Sequence, residues 1–161
     1  MKSLSLLRLG AVALAIASTG HAGGPAQAQA LNDQIVGTWT LAEVYDEYPG
    51  GKTDNPWGPG VKGQLTYSLN GRFSLMIMAA DRPKGTDPRT PVGPALAYFG
   101  SYVIRDQQIV HLTERSTFPN WEGIERPLAT TVSGESMKQT APQISSPNGP
   151  FVPHLNWARS R

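Results

Sequence analysis

The chain has 161 residues with 17 glycines, 14 prolines and no cysteine, and carries 14 Lys and Arg against 12 Asp and Glu. Zero cysteines exclude a disulfide framework and thiolate chemistry, so packing alone must hold the fold. The small positive excess comes from Lys2 and Arg8 at the N-terminus; without them the charges balance, which excludes a basic footprint for nucleic acid.

Residues 1–30 read as a signal peptide. Lys2 and Arg8 form the basic region, and Leu9–Ile16 (LGAVALAI) is an apolar run too short to span a bilayer. Small-residue cleavage patterns follow, placing the cut after Ala22, Ala28 or Ala30. No cysteine lies near them, so lipoprotein anchoring is not expected. The expectation is an exported protein, periplasmic or secreted, with no stable membrane insertion after cleavage. Residues 31–161 form one domain, enough to bury a real core.

No stretch keeps a 3.6-residue apolar period over the length a helix needs, whereas short alternating runs separated by turn signals are frequent. In chain order they are Ile35–Glu47, Lys62–Ser68, Arg72–Ala80, Ala97–Arg105, Gln108–Thr117, Ile124–Val132, Ser136–Thr140 and Phe151–Arg159. Two longer connections, Tyr48–Val61 and Asp81–Leu96, are too rich in Pro and Gly for helices and belong at a sheet end. At Leu69-Asn70-Gly71 a three-residue loop with Gly71 left-handed puts Tyr67 opposite Phe73 and Leu65 opposite Leu75. That register gathers the large apolar side chains on one face, which a two-residue turn would not. The Asp106-Gln107 turn sets Ile104 against Ile109, Tyr102 against His111 and Gly100 against Thr113. Eight antiparallel strands in a meander expose edges unless the sheet closes, and closure at eight leaves room for one small ligand. The fold class is therefore all-β, an eight-stranded antiparallel up-and-down barrel.

Gly37-Thr38-Trp39 on the first strand and Trp157-Ala158-Arg159 on the last resemble the lipocalin superfamily. The blocks VGTWTL, WGPGVKGQLTY, NGRFSLMIM, DRPK, AYFGSY and HLTERSTFPNWEG are similar to the bacterial and fungal lipocalin-like domain family across essentially the whole mature chain. The resemblance implies a closed barrel in which Trp39 plugs one end and Arg159 packs across it, with small apolar ligands inside. Family members carry a longer, partly helical charged insertion between Lys84 and Tyr98; here a short Pro-rich loop stands instead, so no lid is implied.

Two histidines, His111 and His154, follow the signal segment, with no carboxylate or second histidine at ligand spacing on the same strand, so neither a metal nor a cofactor is expected. His111, Thr113 and Arg115 alternate on one face and meet Tyr98, Gly100 and Tyr102 across the pair. If that face turns inward, an imidazole, a guanidinium and two phenols suit an enol, phenolate or carboxylate. If it turns outward, the same residues form a solvated ladder. Glu114, Glu122, Glu125, Arg115 and Arg126 could supply acid–base chemistry or serve only as solubilising charges. Met76 and Met78 suit either an adaptable pocket or an ordinary core. Trp57 and Trp121, each beside Gly and Pro, could stand at a barrel mouth. The function read from these residues is binding of a small apolar or amphipathic molecule, with Tyr67, Phe73, Leu75, Tyr98, Tyr102, His111, Arg115 and Trp121 as lining candidates. Two other classes compete with it. One is an isomerase or cyclase of small carbonyl compounds using His111 or a Glu; the other is a structural or partner-binding envelope protein with a filled core. Oligomeric state is left open.

Overall fold

Strand after strand of the computed structural model pairs with its sequence neighbour; residues 25–161 are described, apart from Pro91. Helix α1 (Pro25–Ile35) is followed by β1 (Gly37–Glu47), β2 (Thr53–Asp54), β3 (Lys62–Tyr67), β4 (Arg72–Met78), β5 (Ala95–Arg105) and β6 (Gln108–Ser116). A 3-10 turn (Pro119–Trp121) leads to β7 (Glu125–Ser133), β8 (Ser136–Thr140), β9 (Ile144–Ser146) and β10 (Gly149–Arg159). Eight of the strands form the barrel, in the order β1-β3-β4-β5-β6-β7-β8-β10, and β10 pairs back onto β1 to close it. The two short strands are additions to the eight expected: β2 folds back on the end of β1, and β9 on the start of β10.

Both hairpin registers read from the sequence are present. Tyr67 faces Phe73 and Leu65 faces Leu75; Gly71 takes a φ of +74°, and Ser68 N–H donates to the Arg72 carbonyl at 2.8 Å. Tyr102 pairs with His111 and Ile104 with Ile109. The inward rows are the apolar ones: Leu75 and Ile77 are buried on β4, while Met76 is exposed on the other face.

Two irregularities break the simple alternation. On β1 the register slips between Leu41 and Glu43, so Ala42 is extra, and Val44 and Asp46 turn inward after Leu41. On β6 the step from Gly100↔Thr113 to Phe99↔Arg115 leaves Glu114 extra. Each is a β-bulge, which resets every side chain beyond it.

The helix is a correction to the expectation that no stretch is helical; it overlaps the expected cleavage region. Residues 1–24 of the expected signal segment lie outside the described residues, and 25–30 are helical. Its alanines and glutamines favour helix, but only Leu31 and Ile35 supply an apolar contact, too short a period to stand out. What holds it is docking at the barrel end: Ile35 is fully buried, Leu31 packs on the core, and Tyr102 Oη donates to Asn32 Oδ1 at 3.0 Å.

Gly100 shows how tightly the second bulge is wrapped. A Cβ on it would lie 1.9 Å from the Leu112 carbonyl oxygen, a backbone atom that cannot swing aside. Gly100→Ala should destabilise the protein by about 3 kcal/mol or more, read as a lower urea midpoint with an unchanged slope.

Candidate functional site: an apolar cavity with one buried cation

The barrel interior is divided along its axis. At the end where β1 begins and β10 finishes, it is solid. Trp39 is fully buried, its Nε1 donates to the Ile35 carbonyl at 2.8 Å, and the Arg159 guanidinium carbon lies 4.2 Å from its ring centre. Arg159 also donates to the carbonyls of Val36 (3.0 Å) and Gln34 (2.5 Å), and Gly37 passes directly beneath its guanidinium. The first strand, the last strand and α1 are thereby joined.

Above this plug a buried polar chain crosses the barrel. Trp157 Nε1 donates to Gln139 Oε1 at 3.0 Å, and Gln139 Nε2 donates to Tyr67 Oη at 2.9 Å. The Tyr67 hydroxyl proton is then directed to His111 Nε2, 2.7 Å away, which leaves the histidine proton on Nδ1. His111 is fully buried and stacked on Phe73 with ring centres 3.8 Å apart. Burial, and secondarily the charge of Arg126, push its pKa from 6.5 down to about 3. His111 is thus a neutral core imidazole, and burial holds the Tyr67 phenol well above its usual range.

The other half of the barrel holds a cavity of about 320 Å³. Its walls are Val44, Leu75, Ile77, Leu96, Leu128 and Leu155, with Pro56, Trp57, Pro94, Trp121, Ile144 and Phe151 around one end. Gln139 and Tyr98 contribute polar edges, and two charged residues, Arg126 and Asp46, also line it. Arg126 is 7% exposed and Asp46 5%.

Of the sequence candidates, Leu75, Tyr98 and Trp121 lie on this wall. Tyr67, Phe73, Tyr102 and His111 point inward but into the filled half, where they pack on one another. Arg115 requires a correction. The bulge at Glu114 turns it out of the barrel, where it pairs with Glu122 at 3.2 Å. The carboxylates considered for acid–base work are also outside: Glu114 pairs with Arg72 and Glu125 with Arg105.

The inward arginine is instead Arg126, register partner of His111 on β7. Its guanidinium carbon lies 3.4 Å from the Trp121 ring centre and 5.7 Å from that of Tyr98. The 3-10 turn places that tryptophan. Trp121 N–H donates to the Phe118 carbonyl at 3.1 Å and Gly123 N–H to the Thr113 carbonyl at 2.8 Å, folding FPNWEG back over the end of β6. Glu122 accepts from Ser116 N–H at 3.1 Å and fixes the outer side. The residues that sequence reasoning missed are Arg126 as a wall residue and Asp46. The available signals were the alternation of Arg126 with Leu128 and the three-residue step from Leu41 to Val44.

A closed up-and-down barrel with a plug at one end and an apolar chamber at the other defines an internal-cavity β-barrel protein. The chain belongs to the lipocalin-like domain family, whose model matches residues 36–160. No curated relative matches it. Among solved structures it is similar to fatty-acid-binding protein 1 of Echinococcus granulosus, at 11% identity and a TM-score of 0.40, over 80% of this chain and 99% of that one.

Because the folded state refuses the proton that an unfolded His111 accepts, this residue's contribution to stability is complete above pH 6.5. It is lost progressively as pH falls toward about 3. The expected slope over that window is roughly 1 kcal/mol per pH unit. Urea unfolding from pH 7 to pH 4 should show this slope, and His111→Gln should flatten it by one proton.

Proposed function

We propose that the protein is exported and carries a small, mainly apolar molecule in the chamber between Trp57, Trp121 and the Gln139–Tyr67 floor. The observation that carries this reading is the cavity itself: about 320 Å³ enclosed chiefly by aliphatic and aromatic side chains. Ligand sites are typically of this size and composition, with apolar burial supplying affinity and a few polar groups setting orientation. A filled-core structural protein would have no reason to leave such a space, since interiors otherwise pack to crystal-like density.

Export rests on the basic and apolar N-terminal pattern of Lys2, Arg8 and Leu9–Ile16. Cleavage after Ala22 is the favoured one of the three sites, because it spares α1, whereas cutting after Ala28 or Ala30 removes about half of a helix that packs on the core. Intact mass of protein recovered from an exporting bacterium should correspond to an N-terminal Gly23. An uncleaved chain, or one beginning at Gln29 or Leu31, contradicts this part.

N-phenyl-1-naphthylamine, a neutral apolar fluorophore, should brighten on binding the mature protein. Ala141→Phe projects a ring into the chamber and should weaken that binding by about tenfold or more, with a near-native unfolding midpoint. No binding by the native protein, or equal binding by the variant, sinks the cavity reading.

A further inference from the structure

Among the described residues, most arginines outside the cavity have a carboxylate beside them. Arg72, Arg89, Arg105 and Arg115 pair with Glu114, Asp87, Glu125 and Glu122, and Arg159 has Glu135 and two backbone carbonyls. Arg126 has none within ion-pair distance among the described residues, although it is buried, at 7% exposure. Burying a guanidinium without a counter-charge is costly, because the solvent that stabilised it is not replaced. The Trp121 face offsets part of that loss through its π-electrons. A ring stacked on the guanidinium plane nevertheless leaves the edge uncovered; the Tyr98 hydroxyl meets part of it, and the remaining N–H groups are where an arginine grips two oxygens at once.

Asp46 is the chamber's carboxylate, and it sits near the end of β1, close to Asp54 of β2. Burial and the Asp54 charge raise its pKa, while His154 acts in the opposite sense. Its side chain accepts no hydrogen bond among the described residues. Around the closed barrel, β1 and β7 are separated by β8 and β10, so the two charges stand on different walls of one apolar space.

We propose that the chamber selects an apolar monocarboxylate, its carboxylate held by Arg126 beside Trp121 and Tyr98 and its hydrocarbon part along the aliphatic walls, with Asp46 repelling the anion from a different wall. This rests on the chamber being a binding site, and it adds the chemical class and the orientation of the ligand.

Decanoate and 1-decanol share a ten-carbon chain and differ in charge. Each is used to displace N-phenyl-1-naphthylamine from the mature protein at pH 8. Decanoate should bind about 10- to 100-fold more tightly than 1-decanol, the range of a charge-assisted hydrogen-bonded contact. In Arg126→Met that ratio should collapse toward one. In Arg126→Lys, which keeps the charge and loses the fork, it should fall to an intermediate value. Asp46→Asn should move the ratio the other way, raising it a few-fold. Unfolding midpoints identify any variant that has lost its fold, and the native ratio and the two milder substitutions decide the matter if Arg126→Met does. A native ratio near one, or a ratio that Arg126→Met leaves intact, overturns the anion proposal while the chamber stands. Failure of the fluorophore itself to bind removes the chamber reading instead.

Discussion

Pairing of β10 with β1 is the constraint on which the rest of this molecule depends. Once an eight-stranded sheet closes, no edge is left to solvent, and the interior cross-section is set by strand number and tilt. Every inward side chain must then either help fill that fixed space or border what is left. The Trp39–Arg159 contact secures the closure at the end where the two strands begin and finish, and α1 is held against the same end through Ile35 and Asn32. A solid base is the outcome. The open half exists because the large inward aromatics, Tyr67, Phe73, Tyr102 and Trp157, are grouped toward the base, leaving mostly aliphatic side chains nearer the other end.

The boundary between the halves is polar. Trp157, Gln139, Tyr67 and His111 satisfy one another in sequence, so most of the polar groups beneath the chamber floor are already engaged. His111 Nδ1 and Thr113 Oγ1 are the exceptions, buried without a partner among the described residues. Such a network holds its members rigidly in place, because each hydrogen bond lost in a dry interior leaves a costly orphan. Above it, the chamber's charged groups are differently placed: Arg126 is held by ring faces and Asp46 by burial against β2 and β10. Arg126 also meets the Tyr98 hydroxyl, but among the described residues neither charge is held in an ion pair, and both line the chamber.

Much of the barrel was legible in the chain. The Leu69-Asn70-Gly71 loop dictated its register because only one alignment keeps Tyr67, Phe73, Leu65 and Leu75 on a common face. The Asp106-Gln107 turn likewise placed Tyr102 against His111. Helix α1 was not legible, since its two large apolar residues, Leu31 and Ile35, make sense only against the barrel end they cover. The site was legible in part: an arginine, tyrosines and Trp121 around the His111 strand were the right kinds of group, but Arg115 was the wrong arginine. Strict alternation from His111 points Arg115 inward, and a single extra residue at Glu114 reverses it. The same device on β1 brings Asp46 inside.

By itself, then, the sequence determined what local rules can decide: strand identity from alternation, hairpin registers from turn chemistry, and the family from its motif blocks. Tertiary structure decided which arginine is buried, which half of the barrel is empty and what His111 does. Those depend on bulges and on the meeting of strands distant in sequence. A period-two pattern holds no record of an inserted residue until a neighbouring strand shows which backbone groups go unpaired, and a cavity is a property of all eight strands together.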